Sequence, residues 1–207
     1  MSKTVKIYIG LLVVLFVGLT IIEFSKETPI DWSRTYQETD KIPYGTFVFY
    51  EELPNLFPDS DIEDIKVSPY EYFDDYYNWQ DSTYSISGSY VHIDEYAAID
   101  DVSAQELLDF ASYGNDVFIS TSYPPQKFYD SLGLDTEHRY DIKGEAEFGF
   151  TNSTFKNDSI TIDKGLSNIY FSKLDSSITT VLGYQKFDSI KHINFVKIDY
   201  GYGSVYL

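Results

Sequence analysis

The sequence predicts a mixed α/β domain held behind one N-terminal transmembrane helix. Three observations carry that prediction. An unbroken apolar run opens the chain, a strand–helix–strand pattern occupies residues 87–120, and short segments with period-two alternation fill the C-terminal half.

The apolar run, residues 7–22, reads IYIGLLVVLFVGLTII and follows Lys3 and Lys6. Its length is at the short end for a bilayer span, and Phe24 extends it past Glu23. The run has no polar face, which argues against a buried core helix. A cleaved signal peptide needs small residues after the apolar stretch. Glu23-Phe24-Ser25-Lys26-Glu27-Thr28-Pro29 offers none, so residues 1–25 are expected to remain as a signal anchor. The preceding lysines favour a cytoplasmic N-terminus, although Lys26 and Arg34 weaken the asymmetry. Residues 26–43 are then an extracytoplasmic linker and residues 44–207 an extracytoplasmic domain.

Within the domain, Tyr44-Gly45-Thr46 opens an amphipathic helix with Phe47, Tyr50 and Leu53 at helical spacing. Pro54 is expected to shift or break its last turn. Residues 61–67 (DIEDIKV) read as a first strand, and residues 69–81 as a loop dense in Tyr, Asp and Trp79. A second strand is expected at residues 87–93. Ser103 with Glu106 three residues on matches a capping box for the helix AQELLDFASY, which Gly114 ends. Residues 116–120 (DVFIS) follow as a strand, so the unit implies a parallel pair with a right-handed crossover. Pro124-Pro125 starts a short helix that Gly133 closes. EAEFGF, SITID, NIYFS, ITTVLGY and NFVKIDYG then read as antiparallel strands. The final Gly201-Tyr202-Gly203 turn leads into a strand that stops without a polar tail, which is expected of a chain cut short.

Composition narrows the function. The chain holds 15 basic and 33 acidic residues, a formal charge of −18. Such a surface repels nucleic-acid backbones and anionic head groups, so no nucleic-acid partner is expected and the domain stands off the bilayer. There is no cysteine, which removes disulfides, thiolate metal sites and cysteine nucleophiles. Tyrosine, at 20 residues beside 15 phenylalanines, predicts aromatic cross-strand pairs and amphipathic rings at the surface.

Chemical motifs are sparse. Gly88-Ser89 and Gly203-Ser204 lack the second glycine of a nucleophile elbow. Ser120-Thr121-Ser122-Tyr123 lies between a strand and a helix, where such a nucleophile sits, so Ser120 and Ser122 are the candidates of a cryptic hydrolase. That chemistry requires a histidine within reach of either hydroxyl. His92-Ile93-Asp94 can place two ligands on one strand face. Asp59–Asp64 resembles the start of a calcium loop but has Asp64 at the sixth position and Tyr70 at the twelfth. Carboxylate pairs among Asp74, Asp75, Asp94, Glu95, Asp100 and Asp101 are expected by number alone in so acidic a chain. Asn152-Ser153-Thr154 and Asn157-Asp158-Ser159 are glycosylation sequons, meaningful only in a eukaryotic secretory host. No metal, cofactor or catalytic set is assigned.

The N-terminal anchor, the segments DWSRTYQETDKIPYGTFVFYEEL and YVHIDEYAAIDDVSAQELLDFASYGNDVFIS, and the closing Gly-x-Gly hairpin together resemble an uncharacterised bacterial membrane-protein family. That family is catalogued as domain of unknown function 4350 and is frequent in Bacteroidetes. The resemblance spans most of residues 30–207. It implies a fold similar to class I glutamine amidotransferases, whose catalytic cysteine would fall at about Thr121 to Tyr123. With no cysteine present, the resemblance does not carry amidotransferase activity. It further implies an accessory role in an inner-membrane envelope complex, with protein partners linked to a MoxR-type AAA ATPase, and continuation into a further membrane segment.

The expected function is therefore a non-catalytic, membrane-anchored scaffold or sensor domain on the periplasmic side. Its contact surface is expected around Trp32, Tyr36, Tyr44 and Tyr50, since exposed aromatics dominate interface energetics. Docking of the linker onto the domain by the same rings is the plainer reading. The alternative function is glycan or peptidoglycan binding, with Tyr72, Tyr76, Tyr77 and Trp79 as stacking platforms.

Overall fold

The computed structural model describes residues 2–26, 28–140, 144–155, 159–166, 168–187 and 189–207. Helix α1 (Lys3–Phe24) forms over the N-terminal apolar run. Its 22 residues have a mean hydropathy of 2.6 over the best window and bury nothing. At 1.5 Å per residue it reaches about 33 Å, long and apolar enough to cross a bilayer.

Helix α2 (Phe47–Leu56) forms where its spacing predicts, N-capped by Thr46, and runs through Pro54 to Leu56. Proline removes one donor, and the Phe57 N–H still reaches the Leu53 carbonyl at 2.8 Å. The expected break is therefore absent. Residues 61–67 form no strand. Ile62 and Ile65 lie three apart, off the alternation a strand needs, and among the described residues no strand pairs with this segment. The expected loop at residues 69–81 begins instead with helix α3 (Pro69–Asp74). Ser68 caps it by accepting from the Glu71 N–H at 3.2 Å, and Pro69 sits at the first turn, where its missing donor costs nothing. Strands β1 (Tyr77–Asn78) and β2 (Thr83–Tyr84) then pair as a small antiparallel ribbon.

Strand β3 (Ser89–Ile93), helix α4 (Asp101–Ser112) and strand β4 (Asp116–Ser120) form the expected parallel crossover, with Tyr90 paired to Val117 and His92 to Ile119. The helix starts earlier than the capping-box motif indicates. Asp100 is the cap, accepting from the Val102 and Ser103 N–H groups at 2.9 Å. Ser103 is buried and donates to Asp100, while Glu106 accepts from the Tyr84 hydroxyl. A carboxylate outcompetes a hydroxyl for orphan amides.

Helix α5 (Gln126–Leu132) ends at Gly133, left-handed at φ 64°. Strand β5 (Asp135–His138), which the sequence does not announce, follows directly. The C-terminal strands are β6 (Ala146–Phe150), β7 (Ser159–Ile162), β8 (Ile169–Lys173), β9 (Thr179–Phe187), β10 (Ile190–Tyr200) and β11 (Gly203–Tyr206). Among the described residues one sheet runs β3-β4-β11-β10-β9-β6-β7, with β8 joining both β10 and β5. All its pairings are antiparallel except β3 with β4 and β4 with β11. Ala104, Leu107, Leu108 and Ala111 recur at helical spacing on α4 and are fully buried with Val117, Ile119, Val196, Ile198 and Val205 of the sheet and Phe128 and Leu132 of α5. Phe73 of α3 closes one end of this core against Phe110, ring centroids 4.3 Å apart.

Candidate functional site

Strand β11 covers β4 only as far as Phe118, so Ile119 and Ser120 run past it toward the carboxyl ends of the parallel strands. This is where α/β sheets place ligand crevices, and a cavity of ≈ 220 Å³ opens there. One wall is the parallel half: Asp94 after β3, then Ser120, Thr121, Ser122 and Pro124 after β4. The opposite wall comes from the antiparallel half, with Phe148, Tyr170, Gln185 and Asn194 among its residues. Tyr36 of the juxtamembrane segment completes the lining.

The two strand ends are locked together beyond the sheet. Ser122 N–H reaches the Glu95 carbonyl at 3.1 Å and Asp94 N–H the Ser120 carbonyl at 3.1 Å. The Thr121 hydroxyl donates to Glu95 O and accepts from the N–H of Ala97. This hydroxyl is therefore structural, although it sits at the elbow position. Among the described residues, neither Ser120 nor Ser122 has a hydrogen bond to a histidine. The hydrolase reading lacks the base it requires in this arrangement.

Three of the four rings of the segment after α1 come together. Trp32 and Tyr44 lie 6.2 Å apart edge-on, Tyr36 and Tyr44 5.8 Å apart. Tyr36 N–H bonds the Tyr44 carbonyl and the Thr46 hydroxyl bonds the Tyr36 carbonyl, folding the segment into a loop. Arg34 pairs with Glu95 at the cavity rim and stacks 5.3 Å over Tyr44. Gly165, at φ 71°, leaves room for the Tyr44 hydroxyl where a Cβ would collide, and Lys164 lies 5.6 Å over Trp32. Burial first, then Glu95, Tyr44 and Asp94, hold the Tyr36 hydroxyl above its ordinary range, with Arg34 opposing. Trp32 stays 41% exposed. Tyr50 stands apart from this cluster, its hydroxyl facing Asp64.

The rings at residues 72–79 serve mainly to pack. Tyr72 lies 5.1 Å from Phe73 and 5.2 Å from Tyr76, and its hydroxyl bonds Glu63 at 2.8 Å. Tyr77 sits edge-on to Tyr84 and Trp79. Only Trp79, 73% exposed, presents an open face. None of these rings lines the strand-end cavity.

Two features escaped sequence reasoning. Gln185 is fully buried on β9; its amide N–H donates to the Ile169 carbonyl at 2.6 Å while its Oε1 has no partner. Beside the cavity, Tyr96 and Tyr123 stack face to face at 4.9 Å and 4°. His138 lies 5.7 Å from Tyr123 and stacks with Tyr140 at 5.8 Å, making an aromatic ribbon along the rim. Its members lie on three separate segments, so no local motif signals it.

Burial lowers the affinity of His92 for a proton, Asp94 opposing, and its Nε2 is buried without a partner. Among the described residues no group of three or more His, Asp or Glu side chains gathers to hold a metal. Asn152 is exposed, whereas the sequon at Asn157 lies outside the described residues.

No protein-family model matches the chain, and no curated protein matches it either. Among solved structures, it is similar to a beta-galactosidase from Bacillus circulans sp. alkalophilus at 10% identity and a TM-score of 0.40. That match covers 57% of this chain and only 19% of the other.

Proposed function

We propose that the chain is a non-catalytic, membrane-anchored sensor or scaffold domain of a bacterial envelope complex, with a cytoplasmic N-terminus and a periplasmic domain of glutamine amidotransferase-like topology. The observation that carries this reading is the seating of the juxtamembrane segment. Trp32 through Tyr44 follow the anchor, and within them Tyr36 lines the cavity while Arg34 pairs with Glu95 on its rim. Occupancy of the cavity thereby bears directly on the segment joining domain to membrane, which is the linkage a sensor needs. Supporting a non-catalytic role, the elbow hydroxyl of Thr121 is spent on loop bonds. A protein partner, with a MoxR-type AAA ATPase system as the expected kind, would read the position of this segment.

The test is in-cell crosslinking of the anchored full chain followed by mass spectrometry, with Trp32→Ala and Tyr44→Ala alongside. A reproducible partner lost in the variants at unchanged melting temperature supports an interface. Lowered melting temperature with the partner retained reduces these rings to linker docking and removes the proposed surface.

A further inference from the structure

We infer that the strand-end cavity and its aromatic rim bind the end of a neutral glycan, one sugar unit inside and further units along the ribbon of Tyr123, Tyr96, His138 and Tyr140. The inference rests on the sensor reading and names its ligand.

Three observations converge on that chemistry. The first is Gln185. Its Oε1 is a buried acceptor with no partner, in a wall residue of the cavity. Its Nε2 is committed to Ile169 O, which fixes the amide orientation and leaves the oxygen free. An orphaned buried carbonyl is costly, about 1–3 kcal/mol, unless a donor arrives. A ligand that carries O–H or N–H groups would supply that donor.

The second is the rest of the lining. Asp94, Ser120, Ser122 and Asn194 supply a mixture of acceptors and donors, which suits hydroxyl groups that both give and take. Among the described residues no lysine or arginine lines the cavity. Together with the chain's charge of −18, this disfavours phosphate or carboxylate ligands. The cavity volume, ≈ 220 Å³, is on the scale of a single pyranose ring.

The third is the rim. Tyr96 is 59% and Tyr123 42% exposed, yet they stack nearly parallel, and Tyr140 is exposed beyond them. Within this stack, contiguous through Tyr123 with the cavity residues Ser122 and Pro124, the facing rings cover one another, and the outer faces of the end rings Tyr96 and Tyr140 are left for the C–H faces of further sugars. Amphipathic rings at a wet surface serve this purpose well.

The experiment is saturation-transfer NMR and titration of the full chain in lipid nanodiscs, which avoid sugar-based detergents. The probes are glucose, mannose and N-acetylglucosamine, their β-linked tetramers, and inorganic phosphate and ethanolamine as charged controls. At least one neutral monomer is expected to bind saturably, and its tetramer at least tenfold more tightly. Gln185→Leu, and Ser122→Phe as a variant that fills the mouth from the loop without touching the core, are each expected to abolish monomer binding. Tyr96→Ala/Tyr123→Ala is expected to reduce tetramer affinity at least tenfold more than monomer affinity. A tetramer no tighter than its monomer overturns the ribbon. No saturation by any neutral probe, wild-type binding in both cavity variants, or stronger binding of phosphate or ethanolamine overturns the whole inference. Sugar binding without any partner in the crosslinking experiment leaves the glycan site standing and removes the sensor reading. A partner without sugar binding does the reverse.

Discussion

At the residue scale, single side chains set how the domain answers to pH and how its elements join. Burial pushes the Tyr90 hydroxyl up to about 12 from an ordinary 10.0. Its folded-state value is raised, so the stability linked to its proton is complete below pH 10.0 and is lost as pH rises through about 12. That span corresponds to about 2–3 kcal/mol. Tyr90→Phe is expected to leave neutral stability within about 1 kcal/mol and to flatten that part of the alkaline decline in urea melts. An undiminished slope in the variant would show that Tyr90 ionises freely. Tyr84, half-buried and bonded to Glu106, is displaced in the same direction and contributes to the remaining slope. Asn115 has a different task. Its Oδ1 accepts from Gly88 N–H and its Nδ2 donates to Phe110 O, both at 2.9 Å, so one buried amide ties the start of β3 to the end of α4. Asn115→Ala leaves the Gly88 N–H unpaired and the Phe110 carbonyl with only the Tyr113 N–H at 3.3 Å, and is expected to cost about 1–3 kcal/mol in chemical denaturation. Neither role is visible in the sequence, where Asn115 reads only as a turn residue after Gly114.

At the element scale, the crossover β3–α4–β4 was legible because its signals are local: a spaced apolar stripe at Ala104, Leu107, Leu108 and Ala111, a glycine stop and a short apolar strand. The misread helix start has an equally local cause, since Asp100 and Ser103 both satisfy a cap and only their competition decides. Strand β11 is another matter. It closes a hairpin on β10, as the Gly-x-Gly turn indicates, but it also inserts in parallel beside β4. That insertion demands close approach: a Cβ on Gly201 would stand 2.6 Å from the Ser112 backbone, and one on Gly203 would overlap the Asn115 carbonyl. Gly203→Ala is expected to destabilise the domain by at least about 3 kcal/mol, measured by thermal or urea unfolding. A variant as stable as the parent would mean that β11 can retreat from α4 at little cost. Pairing partners so distant in sequence leave no local trace beyond the glycines themselves.

At the scale of the whole molecule, α1 buries no residue against the domain and is long and apolar enough to cross a bilayer. The chain lacks cysteine, which makes the proposed topology directly measurable. A Ser33→Cys variant is expected to react with a membrane-impermeant maleimide from the periplasmic face, and Ser2→Cys only after permeabilisation; the opposite pattern inverts the orientation. Replacing α1 by an unrelated apolar helix of equal length is expected to leave the melting temperature of the domain within a few degrees. A large drop would reveal contacts between anchor and domain. The sequence by itself determined the N-terminal apolar helix, the acidic and cysteine-free character, the parallel crossover and the antiparallel second half, because hydropathy, charge and periodicity act within a few residues. Only the tertiary structure decided that residues 61–67 stay out of the sheet, that Tyr72, Tyr76 and Tyr77 pack rather than open outward, and that Gln185 meets Ser122 across a cavity. It also brought Tyr96, Tyr123, His138 and Tyr140 into one ribbon. These outcomes depend on which distant strands pair and in what register, and register is settled by the shared burial of the whole sheet rather than by any segment alone.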